Sequence, residues 1–315
     1  MEMSTGMKIS FLVLATGELV LGMLGNGLIG LINCIEWMKS RKVSSADFIL
    51  TSLAMARIIQ LSITLFNSFI AALSPHLYAT GILANLVSIL LTLTHHLTTW
   101  LAACLSIFYL LKIANFNHFF FLWLKARMNR VVLVVSLGFL FSVCVNFLIL
   151  EAFGELGINT FHVHERNMTV HFVVCEIFYF KSLTLFSLTF VIPFLLSLTS
   201  LLLLLLSLVR HTKNMQLNSM GSGDSSTEAH KRAMKVVTTF LILFIIYFFP
   251  TVIGSWIFHK VQSYEVMMCF VVISTAFPSG HSFIIILGNR KLRQSSLRLL
   301  CHLKFSLRKA KPLIS

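Results

Sequence analysis

Within "LTSLAMARIIQL", Leu50–Leu61, a guanidinium, Arg57, stands in a run that is otherwise apolar or small and polar. Few other residues in apolar company could do chemistry. They are Glu18 and Asn26 in "GELVLGMLGNG", His95 and His96 in "LTHHL", and His281 with Ser282 in "FPSGHSF". Hydrolysis or group transfer needs paired carboxylates, a Ser-His-Asp set or converging metal ligands. Here Glu18 is the lone acid well inside an apolar segment, with Asp47 at the edge of another. The chain therefore reads as no enzyme, and no cofactor is expected. "FHVHERNMTVHF" carries His162, His164 and His171, and an H-x-H pair binds zinc or copper where a third ligand converges. In a polar loop three solvated histidines are the plainer reading, and no metal is expected.

The elements that must position these groups follow from composition. Hydrophobic residues make up 57% of the 315 and charged residues 11%, and mean hydropathy is +0.87. A water-soluble domain does not have this balance. Segments of about 20 mostly apolar residues, enough to cross a ~30 Å hydrocarbon core, occur seven times. They are Ile9–Cys34, Ala46–Leu73, Leu83–Leu111, Val131–Leu150, Ser182–Val209, Val236–Phe258 and Val266–Leu287. The predicted class is an all-α membrane protein, a seven-transmembrane helix bundle. The longest connections are an outer loop, Glu151–Lys181, and a polar inner one, Arg210–Lys235, whose "STEAHKRAMK" reads as a capped extension of the sixth span. Pro193, Pro250 and Pro278 fall inside spans, where proline favours a kink.

Short loops rich in Lys and Arg stay cytoplasmic. About twenty of the 25 basic residues fall after the first, third, fifth and seventh spans, while Lys8, Arg166, Lys181 and Lys260 fall on the other face. Residues 1–8 are thus predicted extracellular, 9–287 form the membrane domain, and 288–315 are cytoplasmic. The first span is expected to insert as its own signal anchor. The net charge of +14 is parcelled among helix ends, which fits an anionic lipid surface as partner and argues against nucleic acid. The sequon at Asn167–Thr169 lies in the outer loop and predicts glycosylation of Asn167. After the last span, "RKLRQSSLRLLCHL" places Leu292, Leu299, Leu300 and Leu303 on one face, predicting a short amphipathic helix on the inner leaflet. Cys301 within it is a candidate for palmitoylation, and the six cysteines suggest no disulfide framework.

Depth decides what Arg57 can meet. It lies eleven residues into the second span and Asn26 about ten from the inner end of the first, so both sit ~15 Å deep. A guanidinium facing lipid there costs ~3 kcal/mol or more, so it should turn inward. Asn26, His281, Ser282 and carbonyls near Pro278 are its expected partners, forming an intramembrane polar network. Glu18 is ~12 Å further out. A transporter would carry more ionisable residues along a path, or an inverted repeat; a receptor needs neither.

Particular residues sharpen the choice. "LSIFYLLKIANF", "LTSLAMAR", "MLGNGLIGLIN", "DSSTEAHKRAMKVVTTFL" and "FPSGHSFIIILGNRKLR" resemble the taste receptor type 2 proteins, the bitter taste receptors, across residues 10 to 300. Two departures stand out: Ala56 replaces a serine, and Phe277 replaces the first histidine of H-P-S-x-H-S. The resemblance implies a G-protein-coupled receptor of the plasma membrane that responds to varied small, largely apolar bitter compounds. It also implies activation of a heterotrimeric G protein of gustducin type. By matching positions, Leu91, Thr94, His95, Tyr247 and Val271 are implied to bound the ligand pocket in the outer half of the bundle. Tyr109, Lys112, Ile113, His211, His230 and Lys235 are implied to form the coupling surface. Without a carboxylate in that pocket, an amine held by a buried salt bridge is an unexpected agonist. Oligomeric state stays open.

Overall fold

The computed structural model describes residues 5–41, 43–73, 82–163, 189–213, 225–261 and 264–310. All regular structure among these is helical. The helices are α1 (Thr5–Ser40), α2 (Ser45–Leu73), α3 (Ile82–Ile113), α4 (Phe119–Ala126), α5 (Met128–Val163), α6 (described over Thr189–Lys213), α7 (Ser225–Val261), α8 (Tyr264–Gly288) and α9 (Arg290–Ala310).

Six of them are long and apolar enough to cross a membrane: Ile9–Ser40, Ser45–Ile70, Ile89–Ile113, Met128–Leu148, Thr189–Lys213 and Ala233–Pro250. These coincide with the first six expected spans, and the seventh falls within α8, Tyr264–Gly288. α8 is a single helix of 25 residues, and its stretch Thr275–Gly288 carries the buried polar residues Ser279, His281 and Ser282.

Several helices outrun their apolar segments. The "STEAHKRAMK" extension is part of α7, and α5 continues to Val163, which turns the first part of the expected outer loop into helix. α4, "FFFLWLKA", was not anticipated. Eight residues are too few to span, and the segment sat in a loop identified by its charges.

α1 packs on α2 and α8, α2 on α3, α3 on α5, and α7 on α8, while α9 folds back onto α8 and α1. Between apolar helices in lipid, close approach gives van der Waals energy that the hydrophobic effect cannot supply. Gly22 and Gly25 provide that approach. A Cβ on Gly22 would run into the Ser279 hydroxyl, and one on Gly25 into the Ser282 hydroxyl.

Three apolar clusters fill the interior. One joins α1, α2, α3, α8 and α9 around Leu50, Leu53, Phe108 and Leu292. A second is aromatic and joins α6, α7 and α8 through Phe190, Phe194, Phe244, Tyr247 and Phe277. The third joins α3, α4 and α6 through Leu111, Phe121 and Leu204. α9 is pinned at its start: Lys291 Nζ lies 2.8 Å from Glu36 Oε2 and 2.9 Å from Asp47 Oδ2.

Candidate functional site

Two features occupy the middle of the helix bundle and its α9 end. The first is a polar core. Arg57, 1% exposed, donates from Nη1 to His281 Nδ1 across the α2–α8 contact. A guanidinium only donates, so Nδ1 accepts and the ring is the neutral tautomer protonated on Nε2. The Phe277 ring lies 5.1 Å from the guanidinium carbon, a cation–π contact. It also stacks on His281 at 5.2 Å and on Tyr247 at 4.9 Å. The aromatic ring in place of the motif's histidine therefore faces the arginine and joins α7 to α8.

The other expected partners of Arg57 are nearby but bonded elsewhere. Asn26 donates to the carbonyls of Gly22, at 2.8 Å, and Pro278, at 3.1 Å, and makes no bond to Arg57. That carbonyl is Pro278's own, not the one the proline leaves without a donor four residues earlier. Ser282 donates to the Ser279 carbonyl at 2.7 Å. Glu18 accepts from the Thr275 hydroxyl at 3.2 Å, consistent with its distance from Arg57.

One turn beyond Arg57 on the same face of α2 stands Gln60, which sequence reasoning missed. Thr98 donates to its Oε1 at 3.1 Å, which turns its amide nitrogen toward His95 Nδ1, 3.2 Å away. The Tyr247 hydroxyl is 2.8 Å from the same nitrogen. His95 and Tyr247, both implied to line the ligand pocket, thus touch across the α3–α7 contact with stacked rings. His96, one residue on, turns to the edge of Phe190, as the 100° step along a helix requires. A polar residue three positions from a buried charge was the available signal for Gln60.

Thr94 is buried and donates to the carbonyls of Leu90 and Leu91, and Leu91 is half-buried. Val271 and His230 are placed only as backbone positions of α8 and α7, and Asn167 lies outside the described residues.

The second feature is a cavity of about 670 Å³ between α3, α6, α7 and α8, bordered by the first turn of α9. Tyr109 and Ile113 line it, as do Phe240 and His281, and Arg290 and Arg293 stand on its α9 side. Of the implied coupling residues, then, Tyr109 and Ile113 face this space. Lys112 instead lays its ammonium 5.4 Å over the Phe108 ring, and His211 and Lys235 are exposed. His281 belongs to both features. One ring accepts from Arg57 and forms part of the cavity wall. Among the described residues no group of three or more His, Cys, Asp or Glu is arranged to hold a metal.

Known proteins share this chain's pattern along its whole length. The family described as Taste receptor protein (TAS2R) matches residues 3–304. Taste receptor type 2 member 42 of Pongo pygmaeus is 49% identical over 314 residues, covering 99% of each chain. The Homo sapiens protein of that name is 48% identical, covering 96% of each. Taste receptor type 2 member 8 of Pongo pygmaeus is 40% identical, covering 94% of this chain and 96% of its own. With its apolar helices, this marks a multi-pass membrane protein and a receptor, not an enzyme: the chain belongs to the taste receptor type 2 family, the bitter taste receptors.

Proposed function

We propose that this protein binds varied small, largely apolar bitter compounds among Leu91, Thr94, His95, Tyr247 and Val271, in the outer half of a seven-helix bundle. On this reading it then activates a gustducin-type G protein at the α9 end. The observation that carries the reading is the unbroken contact path from Tyr247 through Phe277 to His281. It links the proposed ligand residues to the wall of the 670 Å³ cavity. Tyr247 lies three residues before Pro250, inside α7. A ligand pressing on Tyr247 would move the Phe277 ring with it, and with that ring the Arg57–His281 contact and the cavity wall.

Tyr109, Lys112, Ile113, His211, His230 and Lys235 form the coupling surface, with Tyr109 and Ile113 inside the cavity and the others around it. Residues 1–8 and the glycosylated Asn167 face outward at the plasma membrane, and residues 288–315 face the cytoplasm. There α9 lies against anionic lipid: of the expected apolar face Leu300 is exposed, while Leu292 packs into the bundle core. The test is the calcium response of cells supplied with a gustducin-type G protein to a panel of bitter compounds. At least one compound should respond, and His95→Ala or Tyr247→Ala should alter that response at normal surface expression. Silence across the panel despite surface staining would contradict the proposed agonist class or the gustducin-type coupling.

A further inference from the structure

Arg57 heads the fully buried side chains by volume among the described residues, and no carboxylate among them neutralises it. Its Nη1 is committed to His281, but Nε and Nη2 find no acceptor among the described residues. His281 cannot serve as counter-ion, because the nitrogen facing Arg57 is the lone-pair nitrogen of a neutral ring. No carboxylate among the described residues forms an ion pair with it. Glu18 is engaged with Thr275, eight residues and ~12 Å along α1 from the level of Asn26. A buried charge without a partner is among the most expensive arrangements a helix bundle can contain.

Beside the guanidinium is a cavity of about 10 Å³, walled by Arg57, Gln60, Thr98, Thr99, Tyr247 and Phe277 among others. It is about the size of one water molecule, and a halide, slightly larger, would enter with a small outward shift of the walls. Arg57 shares this wall with Gln60, two threonines and aromatic residues, and no carboxylate is among the described residues that border it. Water would fill the space and leave the charge uncompensated. A halide there could accept from the unbonded Nε and Nη2 donors and cancel the charge.

We propose that Arg57 and this cavity form a buried site for a single small monovalent anion, chloride in the cell, which completes the polar core between α2, α3, α7 and α8. The site stands on the geometry of the core and does not depend on which compounds the receptor detects.

The test uses the full-length receptor purified in gluconate, an anion too large for the cavity. Chloride and then bromide are titrated in at constant ionic strength. The thermal unfolding midpoint should rise saturably with either halide, and equilibrium dialysis with radioactive chloride should find one retained ion per chain. Arg57→Gln, which keeps a donor but removes the charge, should abolish retention. Should that variant fail to fold, the stoichiometry on the unaltered receptor still decides. A midpoint indifferent to the anion with no chloride retained would overturn the proposal in favour of water. So would a halide effect undiminished in folded Arg57→Gln, which would place the binding elsewhere.

Discussion

At the scale of single residues, Tyr247 and Gln60 carry more than their exposure suggests. Both bond the same nitrogen of His95, so removing either leaves the other still in place. Tyr247→Phe keeps the ring stack and loses the hydroxyl's contact with His95, and should cost about 1 kcal/mol of stability or more. Gln60→Leu removes the other group on this nitrogen, while the Thr98 hydroxyl keeps the carbonyls of Thr94 and His95 as acceptors. A double-mutant cycle on unfolding of the purified receptor should therefore find the two substitutions non-additive. Arg57 was legible in the sequence because depth along two helices is simple arithmetic, and the same arithmetic placed His281 at its level. The role of Asn26 was not, since depth sets neighbours but not which neighbour a side chain bonds. Phe277 read as a loss of polarity, and only the packing shows its ring against the arginine.

At the scale of helices, the close contact of α1 and α8 rests on two glycines. Gly22→Ala or Gly25→Ala would force the helices apart at Ser279 or Ser282 and should destabilise by about 1–3 kcal/mol. Gly27→Ala meets nothing within 4 Å and should be neutral or slightly stabilising, since alanine favours helix. Melting temperatures of the three variants separate these outcomes. The start of α9 is held by Lys291 between Glu36 and Asp47. Partial burial works to lower this ammonium's pKa, but hydrogen bonds to the two carboxylates outweigh it and raise the value above its ordinary 10.5. A raised basic group stabilises fully below its unfolded value and loses that contribution only as pH climbs through the folded one. Hence the docking of α9 should be unchanged from pH 6 to 8 and weaken only in strong alkali. Lys291→Ala should speed amide exchange around Leu292 at neutral pH, with a cost of about 1 kcal/mol or less because the pair is solvent-accessible. The long apolar helices were legible from length alone. α4 was not, because an eight-residue segment with a lysine inside it and an arginine after it looks like a loop until Phe121 is seen packed on Phe116.

At the scale of the molecule, the aromatic cluster of α6, α7 and α8 lies between the His95–Tyr247 contact and the cavity beside α9. On the proposed reading a message between the two ends runs through it or through the Arg57–His281 bond, and His281 belongs to both routes. This makes the cavity wall the place where agonist binding and G-protein binding would be felt together, and coupling between such sites is reciprocal. The most direct measurement is agonist-stimulated nucleotide exchange on a gustducin-type G protein by the purified receptor, compared with Ile113→Arg, which puts a charge into the cavity from α3. Exchange should be lost in that variant while agonist still binds. Unchanged exchange at normal agonist occupancy would contradict entry of the G protein between α3, α6, α7 and α8.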